Sequence, residues 1–228
     1  DYVVNCHDGV AHGELDIYGI LGMSCNGAFD TIAQTLNSTK WQKLAEDFGY
    51  NQSDRSQVDF PYKKSHFDIA SDDSVWSRMQ LAIGQGTTTV TPLLNLMIYA
   101  AIANDGVMMT PYLVDHYLDA DGNVVEQTKP KALRSVCTKA EAELMDEFLT
   151  YVITNGTAAA GGSQYARVSG KTGSAQYDST KNYHAWFCGY GTNDVSEIAV
   201  CVMIEKGGAG GIVAAPVAGQ IFDYYFSR

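Results

Sequence analysis

The stretch Arg167-Val168-Ser169-Gly170-Lys171-Thr172-Gly173-Ser174-Ala175-Gln176 decides how the rest of the chain is read. It has the makings of a strand, but two glycines, one cation and two hydroxyls fill positions 170–174. Glycine weakens a strand and marks a place where a ligand or another backbone comes close. A lysine beside such a gap can hold a carboxylate, or keep a neighbouring hydroxyl ready to lose its proton. Thr172 and Ser174 add short donors that cost little side-chain entropy to fix. The competing reading is an edge strand carrying a solvated lysine, so the surrounding sequence has to decide.

Downstream, strands are expected over 184–190 and 198–204, with Asn193-Asp194 as a tight turn between them. Residues 207–211 read as a flexible turn. Pro216 suits the first position of a last helix running to 226, with Val217, Ile221, Tyr224 and Tyr225 available for burial. Upstream, the apolar spacing is helical from Glu14 to about Leu36, interrupted near Met23. The interruption leaves Gly22-Met23-Ser24-Cys25-Asn26-Gly27 as a turn between two helices. Such a turn presents Ser24 and Asn26 more rigidly than a free loop, unless Ser24 merely caps the second helix.

Ser38 reads as the cap of a third helix that buries Trp41, Leu44, Ala45 and Phe48 and ends at Gly49. The polar segment 51–74 reads as a long surface excursion. Thr91 and Pro92 open an almost wholly apolar helix that Gly106 stops, which places it in a core. A β-ribbon is expected over 107–136, with Tyr112-Leu113-Val114 and Val124-Val125 flanking the turn at Asp121-Gly122. Thr138 with Glu141 forms a capping box for a helix that Asn155-Gly156 ends. Strands gathered after helices predict an α+β fold, with a mostly helical part over 1–160 and a C-terminal sheet with its last helix over 161–228.

The chain has 228 residues, 46% of them hydrophobic and 18% charged, which suits one globular domain. A net charge of −11 with only 15 basic residues argues against nucleic acid, which needs a basic face. No apolar run approaches a membrane span in length, and no signal-peptide pattern is present. Of the five cysteines at least one lacks an intrachain partner, and no Cys-x-x-Cys exists to support a zinc or thioredoxin-like site. Neither a metal nor a cofactor is expected. Cys188 and Cys201 could face each other across a hairpin, most simply as two buried free thiols.

The order of short motifs then becomes specific. Ser24-Cys25-Asn26 resembles the Ser-x-Asn motif, and Lys171-Thr172-Gly173 the Lys-Thr-Gly motif, of the penicillin-binding proteins and serine β-lactamases. Between them, Gly84-Gln85-Gly86 with Thr91-Pro92, then 103–106, resemble a segment of the penicillin-binding transpeptidases. So do the turn Gly156-Thr157-Ala158, the strand at 186–190 and the run Ala214-Ala215-Pro216. The resemblance covers nearly the whole chain. It implies the penicillin-binding/serine β-lactamase fold and a D,D-transpeptidase of peptidoglycan synthesis on the outer face of the cell membrane, its anchor lying outside this chain. Peptidoglycan stem peptides and β-lactams are the implied partners.

In that scheme Ser24 resembles the hydroxyl relaying a proton to the leaving amine. Asn26 resembles a donor to the acyl chain and Lys171 the cation of the relay. Thr172 and Ser174, beside Gly173, resemble the binders of the substrate carboxylate, and the Ser174 N–H resembles half of an oxyanion hole. The family's nucleophile sits in Ser-x-x-Lys, ahead of Ser-x-Asn. No serine of this chain has lysine three positions later, and only 23 residues precede Ser24. The expectation is therefore a partial domain, inactive alone and beginning after the nucleophile helix and first strands. The intact Ser24, Asn26 and Lys171-Thr172-Gly173 favour truncation over a natural protein that has lost the nucleophile motif. The missing part would be its natural partner, and an exposed apolar groove would favour self-association. The alternatives are a β-lactam sensor or non-catalytic wall-binding module, or a serine β-lactamase or D,D-carboxypeptidase. Against the β-lactamase, no glutamate has asparagine four positions on.

Overall fold

The structure is a computed structural model that describes residues 6, 9–52, 58–69, 71–178, 180 and 182–228. Its centre is the predicted three-stranded sheet. The strands β5 (Arg167–Gln176), β6 (Tyr183–Thr192) and β7 (Glu197–Ile204) run antiparallel in the order β5-β6-β7. The register sets Lys171 opposite Cys188, Thr172 opposite Phe187 and Cys188 opposite Cys201. The two thiols do face each other, and both are free.

One side of the sheet carries α6 (Lys139–Asn155) and α7 (Gly210–Phe226), with Val152, Val168, Phe187, Ala214, Ala218 and Phe222 in the shared core. The predicted capping box of α6 is present: Thr138 Oγ accepts from the Glu141 N–H, and Glu141 accepts from the Thr138 N–H. The helix α5 (Pro92–Ala103), capped by Thr91, packs against β6 and β7.

Four elements depart from the sequence reading. Pro216 lies inside α7, which begins at Gly210. The Gly210 N–H is already taken by Ser174 Oγ (3.1 Å), and Ile212 and Val213 donate to the Ala209 carbonyl, so the helix winds six residues before the proline. The face that α7 buries is also the opposite one. Ala214, Ala215, Ala218, Gly219, Phe222 and Phe226 are buried, whereas Val217, Ile221, Tyr224 and Tyr225 are exposed. Small residues let the helix axis approach the sheet: a Cβ on Gly219 would sit 2.7 Å from the Ala160 carbonyl oxygen.

The second departure is the expected surface excursion. His66 bridges to Thr89, and Phe67 and Ile69 are buried with Leu81 against Trp41 and Ala45 of α3 (Ser38–Asp47). Gln42 and Asn51 hold that segment by accepting from the Ile69 and Phe67 N–H groups. The segment leads into α4 (Val75–Ala82), which the sequence reading did not foresee. Third, Asn37 caps α3 in place of Ser38, and Leu44 is exposed. Arg78 of α4 takes up Ser38 Oγ together with the Ala33 and Leu36 carbonyls (2.9 and 2.8 Å), tying three helices together.

Fourth, the ribbon pairs β2 (His116–Leu118) with β3 (Val124–Gln127), and β1 (Val107–Met109) with β4 (Ala132–Ser135). The segment 112–114 is no strand, because the Leu113 and Val114 N–H groups go to the Asp59 carboxylate.

The helices α1 (Ile17–Gly22) and α2 (Asn26–Thr35) flank the predicted turn. Asp30 of α2 is buried with both carboxylate oxygens unpartnered, and burial raises its pKa to about 6. The folded chain therefore holds that proton between about pH 4 and 6 while the unfolded chain has lost it. The group's stabilising share is complete below the unfolded value and is lost as pH rises through about 6. Asp30→Asn should consequently stabilise the chain at pH 7.5 relative to pH 4. Urea denaturation at both pH values checks this, and an identical difference at the two would refute it.

Candidate active site

The turn after α1 is closed by its own backbone. The Met23, Ser24 and Cys25 N–H groups donate to the Gly19, Leu21 and Ile20 carbonyls at 2.9, 3.1 and 3.0 Å. Ser24 is left in the left-handed region at φ +52°, a conformation that costs a non-glycine residue about 1–2 kcal/mol. Ser24 therefore does not cap α2; that place belongs to Cys25, which makes no side-chain capping bond. Asn26, next in the motif, opens α2 and shares the turn's fixed backbone.

The Ser24 hydroxyl lies 3.0 Å from Lys171 Nζ, across 147 positions of sequence. The amine also donates to the Thr172 carbonyl at 2.9 Å. Burial pushes the Lys171 pKa down to about 8, because an ammonium loses hydration there without gaining a carboxylate. Near neutral pH such an amine can both give and take a proton.

A third motif joins the other two. The Thr157 N–H donates to the Gly22 carbonyl at 3.0 Å, and Thr157 Oγ is 3.1 Å from Thr172 Oγ. A Cβ on Gly156 would collide with the same Gly22 carbonyl, so this turn fits against the Ser24 turn only with glycine there. Sequence reading quoted Gly156-Thr157-Ala158 as a resemblance but gave it no task. Its position between two motif-bearing segments shows only in three dimensions.

Lys171, Thr172, Gly173 and Ser174 line one cavity of about 200 Å³, whose far side is formed by Gly84, Gln85 and Tyr99. Ser24 and Asn26 are not among its lining residues; Ser24 reaches it through Lys171. Among the described residues β5 has a strand partner only in β6. Gln85 closes the end of its other edge. With its amide oriented by its partners, Nε2 donates to the Gln176 carbonyl at 3.3 Å and Oε1 accepts the Gln176 N–H at 3.2 Å. That two-bond pairing copies a strand's own, and it leaves positions 171–175 beside the cavity. The sequence offered no signal for this beyond the Gly-Gln-Gly resemblance.

For metal ions, Cys6, His12 and Cys25 are the one group among the described residues whose ligand atoms all lie within 4.8 Å of one another. The two sulfurs are 3.7 Å apart, and His12 Nδ1 is buried without a partner. The missing Cys-x-x-Cys gave no hint of this grouping, because its members are brought together by the fold of the N-terminal segment onto the turn.

Comparison with known proteins agrees with this architecture. The family model for the penicillin binding protein transpeptidase domain matches residues 3–223. Peptidoglycan D,D-transpeptidase PbpA of Mycolicibacterium smegmatis is 29% identical over 203 residues, 85% of this chain and 40% of its own length. Peptidoglycan D,D-transpeptidase MrdA of Acinetobacter baumannii is 28% identical over 237 residues, 94% of this chain and 35% of its own length. The crystal structure of the D,D-transpeptidase domain of a peptidoglycan glycosyltransferase from Eggerthella lenta superposes with a TM-score of 0.84 at 27% identity, covering 94% of this chain and 54% of that one. The chain thus spans well under half the length of these two curated relatives. With three motifs meeting around Lys171 and the family match running across the sheet and both helical layers, the chain belongs to the penicillin-binding protein transpeptidase domain family.

Proposed function

We propose that this chain supplies the proton relay and the substrate-carboxylate site of a peptidoglycan D,D-transpeptidase acting outside the cytoplasmic membrane. The observation that carries the reading is the 3.0 Å contact between Ser24 Oγ and Lys171 Nζ. Acyl transfer from a D-Ala-D-Ala stem needs a nucleophile, a path that returns a proton to the leaving amine, and donors for the carboxylate and the developing oxyanion. Lys171 and Ser24 form the path. Thr172 and Ser174 belong to the cavity wall, and Gly173 keeps that wall free of a side chain. The extended edge of β5 suits an acyl chain laid along it as an added strand, with Asn26 as a further donor. β-Lactams, as mimics of the stem's end, would occupy the same cavity.

The nucleophile comes from a Ser-x-x-Lys segment that this sequence does not contain. The test is intact mass spectrometry after incubation with a penicillin. The chain as it stands is expected to stay unmodified; a stoichiometric adduct would reveal a nucleophile within it. With a Ser-x-x-Lys segment joined upstream, one acyl adduct is expected. A folded protein that stays unmodified then would favour a module that binds wall peptides without turnover.

A further inference from the structure

Two thiols stand in line with the central lysine. Lys171 on β5 lies opposite Cys188 on β6, which lies opposite Cys201 on β7. Directly opposed residues of antiparallel strands project from the same face of the sheet, so the amine and both sulfurs share one face. Cys188 lines the cavity beside Lys171 and Tyr99, within reach of a small molecule that enters there. Cys201 is partly exposed, and its Sγ lies 3.0 Å from that of Cys188. Opposed Cα atoms in such a ladder are about 4.5–5.5 Å apart, inside the range of about 4.4–6.8 Å that disulfides span. The strands are thus already spaced for a covalent link.

We propose that Cys188, in the wall of the cavity, and Cys201, partly exposed on the neighbouring strand, form a thiol–disulfide exchange site whose reagent is a low-molecular-weight disulfide. The Cys201 thiolate attacks one sulfur of the reagent and displaces the other half, which leaves as a thiol after taking up a proton. Cys188 then gives up its proton to solvent and attacks the Cys201 sulfur of the mixed disulfide, releasing the second thiol. Two protein thiols are oxidised to one disulfide, and the reagent is reduced to two thiols. The order follows from the hydrogen bond between them. The Cys188 S–H donates to Cys201 Sγ, which lowers the Cys201 pKa and raises that of Cys188. Cys201, the more exposed of the two and the one whose pKa is lowered, reacts first. Closing the bond removes both S–H groups from the row that ends at Lys171, so the cavity's polarity beside the amine follows the redox state of its reagent.

The test uses a Cys6→Ser, Cys25→Ser, Cys137→Ser variant, which keeps only this thiol pair, exposed to oxidised glutathione without denaturant. The expected product has lost two hydrogens, carries no glutathione, and returns to the starting mass with a reductant. In the same background Cys188→Ser should instead stop at a stable glutathione adduct on Cys201. Non-reducing peptide mapping of the unmodified sequence gives the same answer if the triple variant folds poorly. A folded chain that stays reduced while the urea-unfolded chain reacts would overturn the proposal, as would a mapped disulfide that joins any other cysteines.

Discussion

Lys171→Met, in the chain joined to a Ser-x-x-Lys segment, is expected to slow acylation by a penicillin about 10²–10⁴-fold, the contribution of a positioned proton-transfer group. Methionine keeps most of the side chain's length and packing, so the loss isolates the amine. Stability separates this from general damage. The folded-state pKa of Lys171 is about 8 against 10.5 unfolded, so burying the ammonium is a cost below pH 8 that is relieved as pH rises from about 8 to 10.5. The variant should therefore be no less stable than the parent at pH 7. It should also lack that alkaline gain in urea denaturation, and its acylation rate should lose the pH dependence centred near 8. A loss of less than tenfold in a folded variant would remove Lys171 from the proton path.

Phe187→Ala is expected to destabilise the chain by about 3–5 kcal/mol, the cost of emptying a fully buried phenylalanine site. A domain's whole margin is only about 5–15 kcal/mol. Phe187 has no exposed surface and meets Phe222 edge-to-face at 6.3 Å. Its ring fills the space left by three glycines. A Cβ on Gly170 would sit 2.7 Å from it and one on Gly189 3.1 Å, and one on Gly161 would collide with it. These backbones are held in strands and a tight turn, so they cannot collapse into the cavity. Because Phe187 lies opposite Thr172, the damage should reach the site as well as the core. Urea denaturation measures the loss. A change below about 1 kcal/mol would mean the site can repack after all, outside the range for such truncations.

The sequence by itself determined the parts whose physics is local. Helix caps are set within four residues, so Thr91 with Pro92 and Thr138 with Glu141 were legible. The β5-β6-β7 sheet followed from alternating runs with turn residues between them. The motif order gave the family. What depended on contacts distant in sequence was not legible. Ser24 and Lys171 could be named separately, but nothing local brings them to 3.0 Å; the packing of α1 on α6 and of α6 on β5 does. Thr157 and Gln85 acquire their tasks from partners 15 and 91 positions away, counted as 172 − 157 and 176 − 85. Phe67 and Ile69 sit in a polar stretch and are buried because α3 supplies donors and acceptors for their backbone.

The helix α7 shows the limit most plainly. Both of its faces are apolar, so amphipathicity could not choose between them, and the sequence reading offered Val217, Ile221, Tyr224 and Tyr225 for burial. The sheet instead selects the alanine and glycine face, because only small residues let a helix come close enough to lay Phe222 against Phe187. That choice belongs to the distance between two packed layers, which no single segment of the chain encodes.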